Sequence, residues 1–502
     1  MYLRVFDDGR PTTKYFSLQA LERADSKGML TSIDAAFDKE FQIDAQTWKE
    51  KLVGFGADGA AVNFGQRQGV SAKLRADIPH LVSVHCVAHR LELAIKHALE
   101  QCKYFKEIED FLVNIFKFYK NSPLNWSNLQ LAGETTNVKV YKPSNVLGTR
   151  WIGHHERAII NITKNYSAMF THLDQVTITG QSIDAKNKAK GFCRKLQFYR
   201  FTKSLYVMMD IYTVLSRLSL MFQKNDSSVE TVDTCFQAAL SNLRELRENP
   251  GPREMEFNNH ITIDNDDIKF LDVTCRAERG GTLTQQEYDE MVNRDKMTLI
   301  QNTIDQLEVR FTSFSDNQVL NGCKVINQRN WPIDNVGDLL EYGQIEIQQL
   351  ITHFQDLLIR RSCKINDIPL EWRQLKLILR DTAITQPHLT YLDFWQRLLR
   401  HMPEEFVNIL TLVKIVLLIP IHTSECERGF SIMGKIKTDW RSSLTTEKLN
   451  ELLRIKLLGQ PLHKFNPQPA IMTWWNAVGV HEDQILAIWT TCTNESDTDT
   501  DL

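Results

Sequence analysis

Nowhere in its 502 residues does the chain hold about 18 uninterrupted apolar residues, so no membrane-spanning helix is expected. The longest apolar run, residues 415–421, contains Pro420 and has the size of a core segment. Close cysteine pairs are lacking as well. The nine cysteines are scattered without a C-x-x-C spacing, which excludes a disulfide framework or a zinc finger of ordinary spacing and fits reduced thiols. Global charge is scarce too: the net value is -3, so nucleic-acid binding would need a local basic face. No secretory pattern opens the chain, because Met1 to Phe6 runs into Asp7 and Asp8. These absences lead to the expectation of a nuclear or cytoplasmic protein with no membrane and no small-molecule partner.

The residues present divide into two regimes. Tyr2 to Phe6 alternates, Asp8-Gly9 is a hairpin signal, and Thr13 to Leu18 is β-prone. A lone hairpin is marginal in water, so these strands are expected to join more sheet. A helix is expected around residues 32–40, then buried strands at 52–57 and 81–84, with a helix from Ala60 to Leu74 between them. This is an α/β order. From His89 to about Leu418 helical periodicity dominates; residues 205–221 and 407–418 are too apolar for surface helices, and 246–268, with Pro250-Gly251-Pro252 and an acidic run, reads as a loop. The acidic tail 494–502 reads as disordered.

Four constellations carry chemistry. Asp58 ends a strand among Gly54, Gly56 and Gly59; it suits a metal site, and equally a helix cap. Cys86 and His89 share a helical face, yet two ligands do not make a structural zinc site. Arg150 and Trp151, followed by His154, His155 and Arg157, offer an aromatic ring beside cations, the combination that stacks an unpaired base, although Trp151 serves equally well as a core anchor. Glu427 lies three residues after Ser424, the spacing of a capping box, and is followed by Phe430, Met433 and Ile436 and then Leu449, Leu452 and Leu453 at helical intervals. Two consecutive amphipathic helices make either a core edge or an oligomer seam.

Together, Gly56-Ala57-Asp58-Gly59-Ala60-Ala61, Cys86-x-x-His89, Thr149-Arg150-Trp151 and the block from Ser424 through Leu453 resemble the hAT superfamily of DNA transposases, especially its zinc-finger-associated vertebrate-type derivatives. Glu427-Arg428-x-Phe430-Ser431 with Arg441-x-x-Leu444 is the most specific part. The resemblance implies an RNase H-like α/β core interrupted by a large all-α insertion, with the last helices returning to it. It divides the chain into a partial core at 1–150, an insertion at 151–400, a C-terminal dimerisation region at 401–460 and an extension at 461–502. It also implies a triad of acids holding two Mg²⁺ or Mn²⁺ ions for DNA cutting and joining. Asp58 matches the second acid, Glu427 the third, and Trp151 the aromatic beside a flipped base. Arg150 and Arg428 are the accompanying DNA contacts, Cys86 and His89 line the site, and Phe430, Met433, Ile436, Leu449, Leu452 and Leu453 form the dimer seam.

The family's first acid belongs to a strand that would precede Tyr2, so the core is expected to be N-terminally truncated. Asp7 and Asp8 sit too far along the hairpin to replace that acid. No BED-type zinc finger is present. The resulting expectation is a transposase-derived protein, catalytically incomplete, that binds no cofactor unless an upstream Asp completes a Mg²⁺ or Mn²⁺ site. It forms a homodimer or higher oligomer and takes DNA as a further partner. The alternatives are a nuclear interaction scaffold without nucleic-acid contact, and a fragment of an active transposase.

Overall fold

In the computed structural model, residues 1–146, 151–264, 267–278 and 284–478 are described. They fall into two units, Met1–Lys435 and Ile436–Leu502. Alternation and turn chemistry build the first hairpin: β1 (Tyr2–Asp7) pairs antiparallel with β2 (Arg10–Tyr15). Asp8 and Gly9 both take positive φ, 49° and 74°, the twist-matched two-residue turn that favours this dipeptide. The hairpin does not extend a larger sheet as expected. It docks on the helix Tyr391–His401 instead: Arg10 pairs with Asp393, Arg400 pairs with Asp8, and Gln396 Nε2 donates to the Asp8 carbonyl at 3.2 Å.

The second strand pair is parallel, β3 (Gly54–Ala57) beside β4 (Val82–His85), in the register Gly54 to Val82 through Ala57 to His85. The two pairs are separate sheets, so hydrogen bonding does not join the described hairpin to β3 and β4. Between β3 and β4 the expected helix 60–74 is broken. A single turn, Ala61–Phe64, stops at Gly65, and a new helix, Val70–Asp77, starts after Gly69. The two glycine α-carbons lie so close that a Cβ on Gly69 would stand 2.5 Å from the Gly65 nitrogen, and this crossing turn interrupts the periodicity.

Most of the molecule is helical. The helix Ser26–Phe41 covers the expected segment at 32–40 and packs Phe37 against Phe16 and Trp48. Tyr199–Phe222 is long and apolar enough to cross a membrane by composition, and 72% of its apolar window is buried inside the fold. Leu205, Met208 and Leu215 are wholly buried on it, and Trp151–Lys164, Val229–Glu248 and Gln285–Ser315 surround it. Val407–Leu418 forms as read. Residues 246–268 are not a loop. The helix Val229–Glu248 ends there, Pro252–Asn259 is helical, and β5 (Ile261–Asp264) opens an antiparallel meander with β6 (Asp267–Phe270) and β7 (Val273–Thr274). Of the acidic run, Asp264 ends β5 and Asp267 opens β6 as its partner, and Phe270 is fully buried against Phe257. The eight described cysteines are free thiols. Arg150 and the acidic tail lie outside the described residues.

Candidate functional site

Glycines in β3 let a distant segment lie directly on the strand. A Cβ on Gly54 would come within 2.4 Å of Pro420 Cδ, and one on Gly56 within 3.1 Å of Pro420 Cβ. Side chains are excluded there because the 419–423 connection occupies their space. That connection is stitched to the end of β4: the Val87 amide donates to the Ile421 carbonyl at 3.4 Å, and the Thr423 amide donates to Cys86 Sγ at 3.3 Å. Cys86 is fully buried, and burial, with a smaller contribution from the Glu427 charge, raises its thiol pKa. A neutral thiol accepting an amide hydrogen bond is a structural clasp. It fixes the first turn of the helix Ser424–Ile436, whose Cys426 amide returns to the Thr423 carbonyl. On the opposite side, the Tyr2 hydroxyl lies against Gly429, where a Cβ would be 2.0 Å away, and Arg4 Nε donates to the Leu417 carbonyl at 3.0 Å. The helix carrying Glu427 is thus held by β1 and by the β4 terminus.

Asp58 follows β3 and is exposed. Its Oδ1 accepts from the Ala60 amide at 3.1 Å and from Asn63 Nδ2 at 2.8 Å, so part of the capping alternative is real. Gly59 lets this turn press on the His85 ring, since a Cβ would sit 2.3 Å from His85 Cε1. Burial first, then Arg90 and His89, lower the His85 pKa to about 4 against the opposing pull of Asp58. His89 is lowered chiefly by burial, again against the pull of Asp58. Asp58 thus acts electrostatically on His85 and His89, and Glu427 on Cys86.

Other expected site residues are engaged elsewhere. Trp151 opens the helix Trp151–Lys164, half-buried, with its ring 4.0 Å from His155 and 6.1 Å from Tyr212. His155 in turn meets Glu109 at 3.0 Å. Arg428 donates through Nε and Nη2 to Glu425 at 3.0 and 2.6 Å and reaches Asn225 at 2.7 Å. Ser424 lies inside its helix, with its hydroxyl 2.7 Å from His422 Nδ1, rather than in the capping position before it.

Magnesium requires near-octahedral oxygen ligation, and two-metal sites share carboxylates between ions about 3.5–4 Å apart. Among the described residues no three His, Cys, Asp or Glu side chains gather to hold an ion. With one Asp58 oxygen already bonded to Ala60 and Asn63, these residues do not by themselves fit a two-metal centre.

Along the expected seam, Phe430 is 57% exposed, Met433, Ile436 and Leu452 are half-buried, and Leu449 and Leu453 are buried within the chain. The apolar residues left outside are others: Trp440 is 97% exposed, Ile455 70% and Leu462 91%, with Leu458 and Trp474 also exposed. Helical spacing could not separate the inner face of Thr446–Leu458 from its outer face, because Leu449, Leu452, Leu453 and Ile455 together circle much of the helix. Residues 374–458 match the hAT family C-terminal dimerisation region. The match takes in much of the helix Ile368–Thr385 and ends with Thr446–Leu458. Over this stretch the chain is similar to the dimerisation region of that family.

Proposed function

We propose that this protein is a nuclear, transposase-derived dimer that binds DNA, in which Asp58 and Glu427 are the second and third acids of an RNase H-like site that these 502 residues do not complete. The dimerisation-region match over 374–458 carries the reading. Supporting it, the Pro420–Thr423 connection packs on β3 and on Cys86, so that the helix of Glu427 starts beside the strand of Asp58. The chemistry left to the two acids is electrostatic, and without a complete ligand set the leaving and attacking oxygens of a phosphodiester lose several kcal/mol of stabilisation. Sedimentation of the protein at micromolar concentration, paired with a plasmid-nicking assay in Mg²⁺ or Mn²⁺, tests this. A dimer without nicking is expected. A monomer removes the reading, and nicking abolished by Asp58→Asn replaces it with a working transposase.

A second reading, an interaction scaffold without nucleic-acid contact, is favoured by the internal engagement of Arg428 with Glu425 and of Trp151 with His155. Salt-dependent binding of duplex DNA separates the two, because neutralising phosphates releases counterions and gives affinity a steep salt slope.

A further inference from the structure

Where the helix Val87–Glu100 packs on Gln285–Ser315, two arginines stand without a carboxylate partner among the described residues. Arg90, one turn into the helix Val87–Glu100, donates through Nε to the His85 carbonyl at 3.2 Å and through Nη1 to the Arg310 carbonyl and to Ser313 Oγ, the last at 2.7 Å. Arg310, near the end of Gln285–Ser315, donates from Nη2 to His97 Nδ1 at 3.0 Å, and its Nε has no partner. Every acceptor is neutral, and among the described residues neither arginine is in an ion pair. Arg90 is brought down to about 10 by burial and by repulsion from Arg310. Arg90 has a structural account, since a cation at the last turn of Gln285–Ser315 meets the negative end of that helix dipole. Arg310 bonds only a neutral imidazole and repels Arg90.

Leaving two guanidiniums together without an anion costs free energy that a bound anion returns. The positive end of Val87–Glu100 points to the same place, and His85 and His89 lie 5.7 Å apart beside it. His97 and Ser313 are exposed, so the cluster is open. It lies apart from the cavity of about 340 Å³ formed by Lys49, Asp77, His80 and Arg360. An open cationic ridge suits an extended polyanion better than an enclosed small one. We propose that Arg310, with Arg90 behind it, holds a backbone phosphate of duplex DNA. This rests on the DNA-binding part of the function proposed above and assigns it residues that the sequence did not single out.

The test is fluorescence anisotropy of the full 502-residue protein with a labelled random-sequence DNA duplex, from about 50 to 200 mM salt. Arg310→Gln is expected to weaken binding several-fold and to reduce the salt slope by about one, Arg310→Lys to keep most of both, and Arg310→Glu to weaken binding further. Ser313→Glu, which puts a negative charge on the exposed residue that Arg90 contacts, is expected to weaken binding, and Lys188→Gln, an exposed residue paired with Asp184, to change nothing. Unchanged binding by Arg310→Gln and Arg310→Glu overturns the inference and leaves DNA binding standing. Should the Arg310 variants unfold, Ser313→Glu decides, and unchanged affinity overturns it. A dimer that binds no duplex at 50 mM salt overturns both the inference and the DNA half of the proposed function.

Discussion

Gly429 has the Tyr2 hydroxyl where its side chain would be, and that hydroxyl is buried without a hydrogen-bond partner. Gly429→Ala is therefore expected to cost about 1–3 kcal/mol through overpacking. Tyr2→Phe alone should be close to neutral, because it removes an unsatisfied polar atom. The double variant should recover much of the loss; urea denaturation of the four proteins measures this coupling. Histidines set a second residue-scale behaviour. Burial lowers His85, His172 and His422 from 6.5 to about 4. Between those values the unfolded chain binds more protons than the folded one, so stability falls as the pH drops from 6.5 towards 4 and levels off below. Denaturation midpoints across that window should show the slope, and His172→Gln should flatten part of it. Neither behaviour can be read from residue spacing, because both depend on what surrounds a side chain.

At the scale of elements, the informative contact is the clasp between Cys86 and the Thr423 amide. Cys86→Ala removes the acceptor and leaves a small void at a fully buried position, and a loss of about 1–3 kcal/mol is expected. Hydrogen exchange should rise first in residues 423–430, the turn that the thiol holds. If protection there is unchanged, the clasp does not position Glu427. The pairing of a cysteine with a helix start was invisible in a sequence where 337 positions separate them, whereas the elements themselves were largely readable. The hairpin followed from Asp8-Gly9 and alternation, and Val407–Leu418 from its apolar content. Local signals failed where two of them conflicted. The proline and acidic residues of 246–268 masked the alternating Ile261, Ile263, Ile268 and Phe270 of the meander, and Gly65 with Gly69 broke a helix that the hydrophobic spacing favoured.

For the whole molecule, association should be driven by apolar side chains that the folded chain leaves outside. Trp440→Ala is expected to raise the dimer Kd by about thirty-fold, the effect of losing an interface residue worth about 2 kcal/mol, and Ile455→Asp with Leu458→Asp should give monomers. Leu449→Ala and Leu453→Ala should instead lower thermal stability, because both side chains are buried within the chain; analytical ultracentrifugation beside thermal melts separates the two classes. Residue order alone was enough for the helical bulk and for the family likeness of the C-terminal block, since periodicity, turn chemistry and short motifs are local properties of a chain. Which leucines face inward, which arginine lacks a counter-charge and what lies against Gly54 and Gly56 are relations between segments hundreds of residues apart. They exist only once packing has closed, because burial and electrostatic neighbourhood belong to positions in space.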